Sequence, residues 1–317
     1  MSCQACGAPE FQTLFHATDR LYRTTSRQFK VVACKGCGLI RLHPQPTSEE
    51  LAGYYPKNYW YAPDRSAAGR LEEFYRKLVL RDHLNFVERA IRNSGLTGPV
   101  LDIGCGGGLF LEQLRPRLPE GCLVLGLDFS AQAAGIAWKQ KGLPVVCGDL
   151  GRAAPFRGGG FAAITMFHVL EHLIDPREHL AQVFHLLRPG GRLIVQVPNA
   201  DCWQFRLLGR RWNGVDVPRH LTSFRASDLI VLLKQTGFKN HTIKHFSLRD
   251  NPAGLATSLA PRLDPMARRM LNPNEGGRAK LVRDMLYFNL VVSALPFALL
   301  EAAAGHGSTV MVEASRP

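Results

Sequence analysis

The chain has 317 residues, of which 46% are hydrophobic and 21% are charged. This composition is typical of a globular protein and excludes a disordered, collagen-like or disulfide-scaffold chain. The formal net charge is +13, with +5 over residues 1–94, +1 over residues 95–200 and +7 over residues 201–317. Basic flanks favour an anionic partner, such as a nucleotide, a phosphorylated sugar, nucleic acid or a membrane surface, without choosing among them.

The N-terminus carries two C-x-x-C pairs separated by 27 residues, and a glycine follows each pair. A tight turn within each pair directs both sulfurs to one point, so the two turns supply four thiolates for a tetrahedral Zn2+. Four thiolates leave no position for water, and the ion would therefore be structural. Redox dithiols or two chance pairs are the alternatives. We predict a small zinc-binding module over residues 1–45, with these metal ligands: Cys3, Cys6, Cys34 and Cys37.

An aromatic linker and a helix are predicted over residues 46–95. The aromatic cluster in this linker comprises Tyr54, Tyr55, Tyr59, Trp60 and Tyr61. Aromatic side chains this close together either line a ligand pocket or pack the small module on the rest of the protein, and we favour packing. The apolar spacing between residues 71 and 91 predicts one helix.

The remaining chain, residues 96–317, has the pattern of an α/β fold. An apolar run at 100–103 precedes the glycine-rich turn at 104–108 and a helical stretch, which is the order strand, turn, helix. Further apolar runs separated by helical stretches predict a parallel doubly wound sheet. These runs cover residues 123–127, 144–147, 161–166 and 193–197.

The glycine turn favours a ligand without phosphate. The dinucleotide fingerprint requires a glycine where this chain has Leu109. Asp102 suits a positively charged ligand better than a pyrophosphate. Asp128 ends the second strand, where a carboxylate can bind ribose hydroxyls, and Asp149 ends the third, where it can accept a hydrogen bond from an adenine amino group. An adenosine with a cationic portion and no phosphate matches S-adenosylmethionine.

Five motifs resemble, in the same order, those of class I S-adenosylmethionine-dependent methyltransferases. They read VLDIGCGGG at 100–108, GLDFS at 126–130, CGDL at 147–150, FHVLEHLIDP at 167–176 and LRPGGRLIVQVPN at 187–199. More narrowly, they are similar to the branch that contains ubiquinone-biosynthesis O-methyltransferases. The resemblance implies a Rossmann-like seven-stranded sheet with a reversed last strand, and we expect a helical insertion at 250–306.

The same resemblance assigns cofactor roles to individual residues. Asp102 and three glycines would hold the methionine portion, Asp128 the ribose and Asp149 the adenine amine. Phe167 would contact the cofactor through its backbone. The three glycines are Gly104, Gly106 and Gly108.

The N-terminal pairs resemble the zinc-bearing modules of sugar C-methyltransferases, through CGLIRLHPQP and YYPKNYW. That resemblance implies a nucleotide-linked sugar as acceptor. Those enzymes usually carry a further C-terminal domain, which we do not expect in a chain of this length, so the acceptor and C-methylation stay open.

Transfer of a methyl group to a hydroxyl requires a base, and histidine is the first candidate because its pKa lies near neutrality. His220 lies after the fifth predicted strand and is our candidate general base. His168, just after the fourth strand, is the alternative base or a substrate ligand. Glu171 and His172 complete an H-x-x-E-H pattern, which also fits a turn cap or an inverted zinc-protease motif; its place at a strand end disfavours the protease. A histidine that only packs the loop is the alternative for His220.

Residues 285–300 carry no charged side chain. Sixteen residues interrupted by Asn289, Ser293 and Pro296 are short for a membrane span, so we expect a buried or interfacial helix. The arginines before it suit an anionic, lipid-linked acceptor. No signal-peptide pattern opens the chain, and we expect a cytoplasmic protein, peripheral at the inner membrane face.

The sequence therefore predicts a methyltransferase that acts on a small-molecule, sugar or lipid-linked acceptor, with O-methylation by in-line transfer to an oxygen. One alternative is an RNA methyltransferase that uses the zinc ribbon and the basic flanks. The other is a noncatalytic zinc-ribbon protein that recruits partners.

Overall fold

The computed structural model describes residues 3–56, 67–150, 156–273 and 275–317, without the side chains at 67–69 and 71. Three residues of the predicted aromatic cluster, Tyr59, Trp60 and Tyr61, lie outside these ranges. The described residues form two sheets, one of four strands and one of seven.

The smaller sheet combines the N-terminal segment with a strand from much later in the chain. Its strands pair antiparallel in the order β1-β2-β3-β9. They are β1 (Phe11–Ala17), β2 (Phe29–Cys34), β3 (Ile40–His43) and β9 (Thr222–Ser223). Phe29 and Leu42 share one apolar cluster with Trp212 and Leu221. The N-terminal segment therefore buries its apolar face against residues 200–221, and the predicted boundary at residue 45 stays a prediction.

The larger sheet has the strand order β10-β11-β8-β7-β4-β5-β6. Its strands are β4 (Val100–Ile103), β5 (Val124–Asp128), β6 (Val145–Cys147), β7 (Phe161–Phe167), β8 (Leu187–Pro198), β10 (Lys239–Lys244) and β11 (Thr309–Ser315). Strands β4 to β8 pair in parallel, and β11 is antiparallel to both of its neighbours. This confirms the predicted α/β fold class, with a seven-stranded sheet and a reversed last strand.

Helices cover both faces of the larger sheet. They are α1 (Ser48–Gly53), α2 (Ala67–Val79), α3 (Arg81–Ser94), α4 (Leu109–Leu114), α5 (Ala131–Lys141), α6 (Pro176–Leu186), α7 (Trp203–Leu208), α8 (Ala226–Gln235), α9 (Asn251–Leu259), α10 (Pro265–Leu271) and α11 (Gly277–Ala303). Ile164 and Met166 pack with residues of α6 and α8, whereas Ala163 packs with residues of α3 and α4. Alternate residues of a strand face opposite sides, so a strand covered on both faces is apolar throughout. This is why the central strands β4 and β7 are nearly continuous apolar runs in the sequence, whereas the edge strand β10 is polar and largely exposed.

The prediction of one helix over residues 71–91 is wrong, because the structure divides this stretch at Leu80 into α2 and α3. The two helices pack against different partners. Asp82, at the start of α3, accepts hydrogen bonds from Lys244 Nζ at 2.9 Å and Leu248 N at 3.1 Å, beside β10. Tyr75 of α2 instead packs edge-to-face on Phe288 of α11. Apolar spacing alone does not show this change of direction.

Three helices, α9 to α11, occupy the chain between β10 and β11. Helix α11 buries Val291, Ala294 and Ala298 on the side that contacts α9 and leaves Leu286 and Val292 about half exposed. Within the described part of the chain, it is the one helix long and apolar enough to cross a membrane, and 22% of its most apolar window is buried. The predicted apolar segment is the later part of this helix, which begins at Gly277.

Candidate active site

The carboxyl ends of the parallel strands open into one cavity of about 2240 Å³. Most of the residues predicted to bind cofactor or to act in catalysis line it. These residues are Asp102, Gly104, Gly106, Asp128, Asp149, Phe167, His168 and His220. Gly108 lies beneath the turn, where an added Cβ would stand 2.6 Å from Leu143 Cδ1. The structure thus brings the predicted residues together at one edge of the sheet, where ligands of open α/β sheets bind.

The turn after β4 requires glycine for two separate reasons. Gly104 has a φ of 75°, in the left-handed region, and a Cβ there would lie 2.4 Å from Val169 Cγ2. Gly106, with a φ of 54°, donates its backbone N–H to Asp128 Oδ2 at 2.8 Å. The turn therefore lies directly against the carboxylate that ends β5.

Asp102 is a buried carboxyl group beside the cavity, 3% exposed. Thr165 Oγ1 donates a hydrogen bond to its Oδ1 at 2.6 Å. Burial raises the pKa of Asp102, and the hydrogen bond from Thr165 lowers it. Repulsion from Asp128 raises it further, and the resulting pKa is about 7. A carboxylate that is this costly to ionise favours a cationic ligand beside it.

Asp128 and Asp149 differ in exposure. Burial raises the pKa of Asp128, although the N–H groups of Ser130 and Gly106 bond its two oxygens. The Asp149 side chain is 66% exposed, and its Oδ1 lies 3.3 Å from His179 Nε2. Three carboxylates at successive strand ends, with a glycine turn between them, fit an adenosine ligand that bears a positive charge.

His168 follows β7 in a left-handed backbone conformation, with a φ of 56°, which is uncommon for a residue other than glycine. Its Nδ1 lies 3.2 Å from Glu171 Oε1 and its Nε2 lies 3.4 Å from Asp250 Oδ2. Burial lowers the pKa of His168, but the two carboxylates outweigh it and raise the pKa to about 9. The His168 ring is therefore protonated on both nitrogens and positively charged at neutral pH. This disfavours His168 as a general base, because it has no lone pair to accept a proton. Its role as a substrate ligand stays a prediction.

His172 and His220 meet edge-to-face, with ring centroids 4.7 Å apart. His220 Nδ1 lies 2.9 Å from the Gly214 carbonyl oxygen. A carbonyl oxygen only accepts, so Nδ1 donates and Nε2 keeps the lone pair of the neutral ring. Burial and the nearby His220 lower the pKa of His172 to about 4, and this ring is therefore neutral. The arrangement leaves His220 Nε2 able to take a proton in the cavity.

Glu171 lies beside this histidine pair. One ligand atom from each of Glu171, His172 and His220 lies within 4.8 Å of the others, a spacing that an acceptor hydroxyl or a metal ion could bridge. Burial opposes ionisation of Glu171, but the neighbouring His168 and the histidine pair lower its pKa. Its Oε2 is buried and has no hydrogen-bond partner within the part of the chain that is described. A buried acceptor without a donor marks a place for a polar ligand group.

The four N-terminal cysteines form a second cluster, away from the cavity. Their sulfurs all lie within 4.8 Å of one another, with 3.7 Å between Cys3 and Cys37 and 3.6 Å between Cys6 and Cys34. Thiolates at the usual Zn–S distance of about 2.3 Å around a tetrahedral Zn2+ are separated by about 3.8 Å. The residues therefore fit a structural zinc ion, as the spacing of the two pairs predicts.

Three residues that the sequence reasoning did not assign also belong to the site. Asp250, at the start of α9, faces His168, and Gln196 Nε2 donates to Asp250 Oδ2 at 2.8 Å. The Tyr55 hydroxyl lies 3.0 Å from His172 Nδ1, and the Tyr55 ring packs edge-to-face on Phe129. The aromatic cluster indicated that Tyr55 could line a ligand pocket, but no local sequence pattern indicates that Asp250 belongs to the site.

Comparisons with known proteins identify a methyltransferase domain in this chain. A family model described as a methyltransferase domain matches residues 71–243. The ubiquinone biosynthesis O-methyltransferase of Aromatoleum aromaticum is 31% identical over 188 residues, which cover 55% of this chain and 77% of that protein. The O-methyltransferase cnsE of Penicillium expansum is 30% identical over 219 residues, covering 62% and 74%. The crystal structure of an S-adenosylmethionine-dependent methyltransferase from Mesorhizobium loti is 16% identical, with a TM-score of 0.46 over 72% of this chain and 96% of that one.

Proposed function

This chain belongs to the class I S-adenosylmethionine-dependent methyltransferases, and we propose that it methylates an oxygen atom of a small or lipid-linked acceptor, with His220 as the general base. The observation that carries this proposal is the position of His220. Its Nε2 keeps a lone pair in the cavity that the three strand-end carboxylates also line. The matched relatives named as O-methyltransferases support oxygen as the acceptor atom.

The proposed cofactor residues follow from charge. Asp102 would hold the methionine portion, because a cation beside this buried carboxylate offsets the cost of its ionisation. Asp128 would bind the ribose hydroxyls and Asp149 the adenine amine. When bound, S-adenosylmethionine supplies a methyl carbon that its sulfonium already activates for displacement.

At the acceptor end, the protein has to orient a hydroxyl and remove its proton. His220 Nε2 would receive that proton, and the ionised Glu171 beside the pair would stabilise the resulting imidazolium. The charged ring of His168, held by Glu171 and Asp250, would stabilise the negative charge that develops on the acceptor oxygen as His220 takes its proton. The buried Glu171 Oε2 would accept a second acceptor hydroxyl.

We further propose that the acceptor is lipid-linked. The cavity extends between α2 and α11, where exposed apolar side chains line it, among them Phe74, Leu281 and Phe288. Residues 262–284 carry six basic and three acidic side chains. An apolar helix face next to basic residues suits the anionic face of a membrane, from which a lipid-linked acceptor would enter.

The test is to incubate the purified chain with S-adenosylmethionine labelled in its methyl group and with separated lipid, small-metabolite, glycan and RNA fractions. We expect label in the lipid fraction and its retention after a chelator is added. Label in the small-metabolite fraction would keep a small acceptor but overturn the lipid-linked one. Label in the RNA fraction, with the steep salt dependence of phosphate contacts, would support the RNA methyltransferase instead. Transfer that stops with the chelator while the cysteine cluster keeps its zinc, and returns with a divalent ion, would identify a metal at Glu171 and the histidine pair in place of the base.

A further inference from the structure

The loop that carries His220 is fixed from outside the larger sheet. Leu42 N donates to Leu221 O at 2.9 Å, and β3 pairs with β9 directly after this loop. On its other side, Leu221 N donates to Glu171 O at 2.8 Å. The matched methyltransferase family model begins at residue 71, so β3 is an addition to the family domain. The loop thus lies between the N-terminal segment and the turn that carries Glu171.

Arg219, the neighbour of His220, is a fully buried cation. Its Nη1 and Nη2 donate to the two carboxyl oxygens of Asp19 at 3.0 and 2.9 Å. Its Nε and Nη2 donate to Asp216 at 2.9 and 2.6 Å, and Nη1 also donates to Tyr54 O. Burial opposes the ionisation of Asp19, but Arg219 lowers its pKa to about 2. A guanidinium with two carboxylates in its plane has a fixed orientation.

The backbone of Arg219 faces the histidine pair, although its side chain is buried in the N-terminal segment. The Arg219 carbonyl oxygen lies 3.1 Å from His172 Nδ1, and the next residue is His220. Tyr55 approaches the same His172 nitrogen from the N-terminal segment, at 3.0 Å. Both histidines are therefore positioned by contacts that originate before residue 71.

We propose that Asp19, through Arg219, and Tyr55, through His172, are positioning residues that hold the histidine pair for proton removal. The N-terminal segment is thus a working part of the methyl-transfer centre and not a module that recruits partners. This inference rests on the proposed role of His220 as the base. It adds a role for residues that lie outside the matched family domain.

The test uses the full chain with Asp19→Asn, which keeps the size of the side chain and removes its charge. The readouts are the rate of label transfer to the fraction that the wild type methylates, S-adenosylmethionine affinity by calorimetry, and amide hydrogen exchange. We expect turnover to fall about 10- to 100-fold, as for a misplaced catalytic group. Cofactor affinity should stay within about twofold, since the strand-end carboxylates are untouched, and exchange should quicken at residues 214–223 but not at 100–128.

Glu313→Gln is the matched control, because it removes the carboxylate partner of Arg192 in a part-buried ion pair between β11 and β8, and neither residue lines the cavity. It should leave all three readouts at the wild-type level. Should Asp19→Asn fail to fold, Tyr55→Phe removes one hydroxyl and no buried charge. This variant should lower turnover and leave cofactor affinity unchanged.

The outcomes separate this inference from the proposed function. If His220→Gln keeps wild-type turnover, His220 is not the base and the proposed function fails. If His220→Gln abolishes turnover while Asp19→Asn and Tyr55→Phe retain it, the N-terminal segment does not position the pair and the inference is overturned. Equal losses of turnover and cofactor affinity, with faster exchange in both sheets, would show a purely structural role and also overturn it.

Discussion

Asp102 is the residue whose protonation should control cofactor affinity. Its pKa is about 7 in the free protein, because it is buried beside Asp128. A cationic ligand lowers this pKa, so binding below pH 7 must displace a proton. Affinity for S-adenosylmethionine should therefore fall by about tenfold per pH unit below 7 and level off above 7.

Calorimetry between pH 5.5 and 8 measures this dependence. Asp102→Asn should bind more weakly and with no slope, and adenosine, which has no positive charge, should show no slope with the wild type. A wild-type affinity for S-adenosylmethionine that is constant over this range would contradict the role of Asp102.

His220 is the residue on which turnover should depend. Replacing it by Gln removes the lone pair at Nε2 and should lower the rate of methyl transfer by about 10²- to 10⁴-fold, the usual contribution of a general base. Cofactor affinity should not change. His241→Gln is the matched control, since His241 lies on β10 beside Arg192 and does not line the cavity; a turnover loss common to both variants would argue against a specific role.

Local sequence predicts the positions of the strand-end carboxylates better than the surroundings of the histidines. Asp102, Asp128 and the glycine turn are specified by strand ends and by the glycines that follow them. The protonation of His168 depends on Asp250, which the fold brings across from the start of α9. Such a pairing needs the tertiary structure, and this is why the sequence offered His168 as a base.

At the scale of elements, the two cysteine turns should hold one zinc ion per chain. The sulfurs of the two turns lie next to each other, with 3.7 Å between Cys3 Sγ and Cys37 Sγ. Cys3 and Cys34 also pack into a buried apolar cluster of the larger sheet. Removal of zinc by a chelator, or the change Cys34→Ser, should lower the melting temperature by several degrees because the metal bonds that hold the two turns together are lost or weakened.

Metal content by mass spectrometry and thermal unfolding measure this prediction. Cys147→Ser, which changes an exposed thiol outside the cluster, should alter neither. A chain that unfolds at the same temperature with and without metal would rule out a structural zinc.

The exposed face of α11 should bind anionic membranes. Leu286 and Val292 are 53% and 52% exposed, and replacing both by Glu adds charge to this apolar face. In sedimentation with vesicles, the wild type should bind phosphatidylglycerol more strongly than phosphatidylcholine, and the double variant should lose binding.

Leu207→Glu provides the control, because Leu207 is 72% exposed on α7. This change should not affect sedimentation. Wild-type binding by the double variant would contradict a membrane role for α11, and a change from dimer to monomer in the double variant would identify the face as a subunit interface.

Elements were predictable in proportion to their length and periodicity. The central strands of the larger sheet appear as apolar runs because both faces are buried, whereas the edge strand β10 is polar and shows no such run. Strand β9 has two residues, too few to show an alternation of apolar and polar side chains. It forms because its backbone pairs with β3. The division between α2 and α3 depends on α11, which no local pattern around residue 80 contains.

For the molecule as a whole, the sequence predicts three parts, and in the structure the N-terminal segment packs closely on the methyltransferase domain. The strand-end carboxylates lie on the larger sheet, whereas the loop of His220 lies against the N-terminal segment through Arg219. The proposed mechanism uses both sets of groups in one cavity. If it holds, residues of the N-terminal segment and of the methyltransferase domain contribute to the same reaction.

The most direct measurement of the central claim is the chemical position of the transferred methyl group. The chain is supplied with S-adenosylmethionine that carries a 13C-methyl group, and the methylated product is examined by NMR. We predict a methyl carbon bonded to oxygen in a lipid-linked or small molecule, absent when His220→Gln replaces the wild type. A methyl carbon bonded to nitrogen or carbon, or one formed equally well by His220→Gln, would contradict the account.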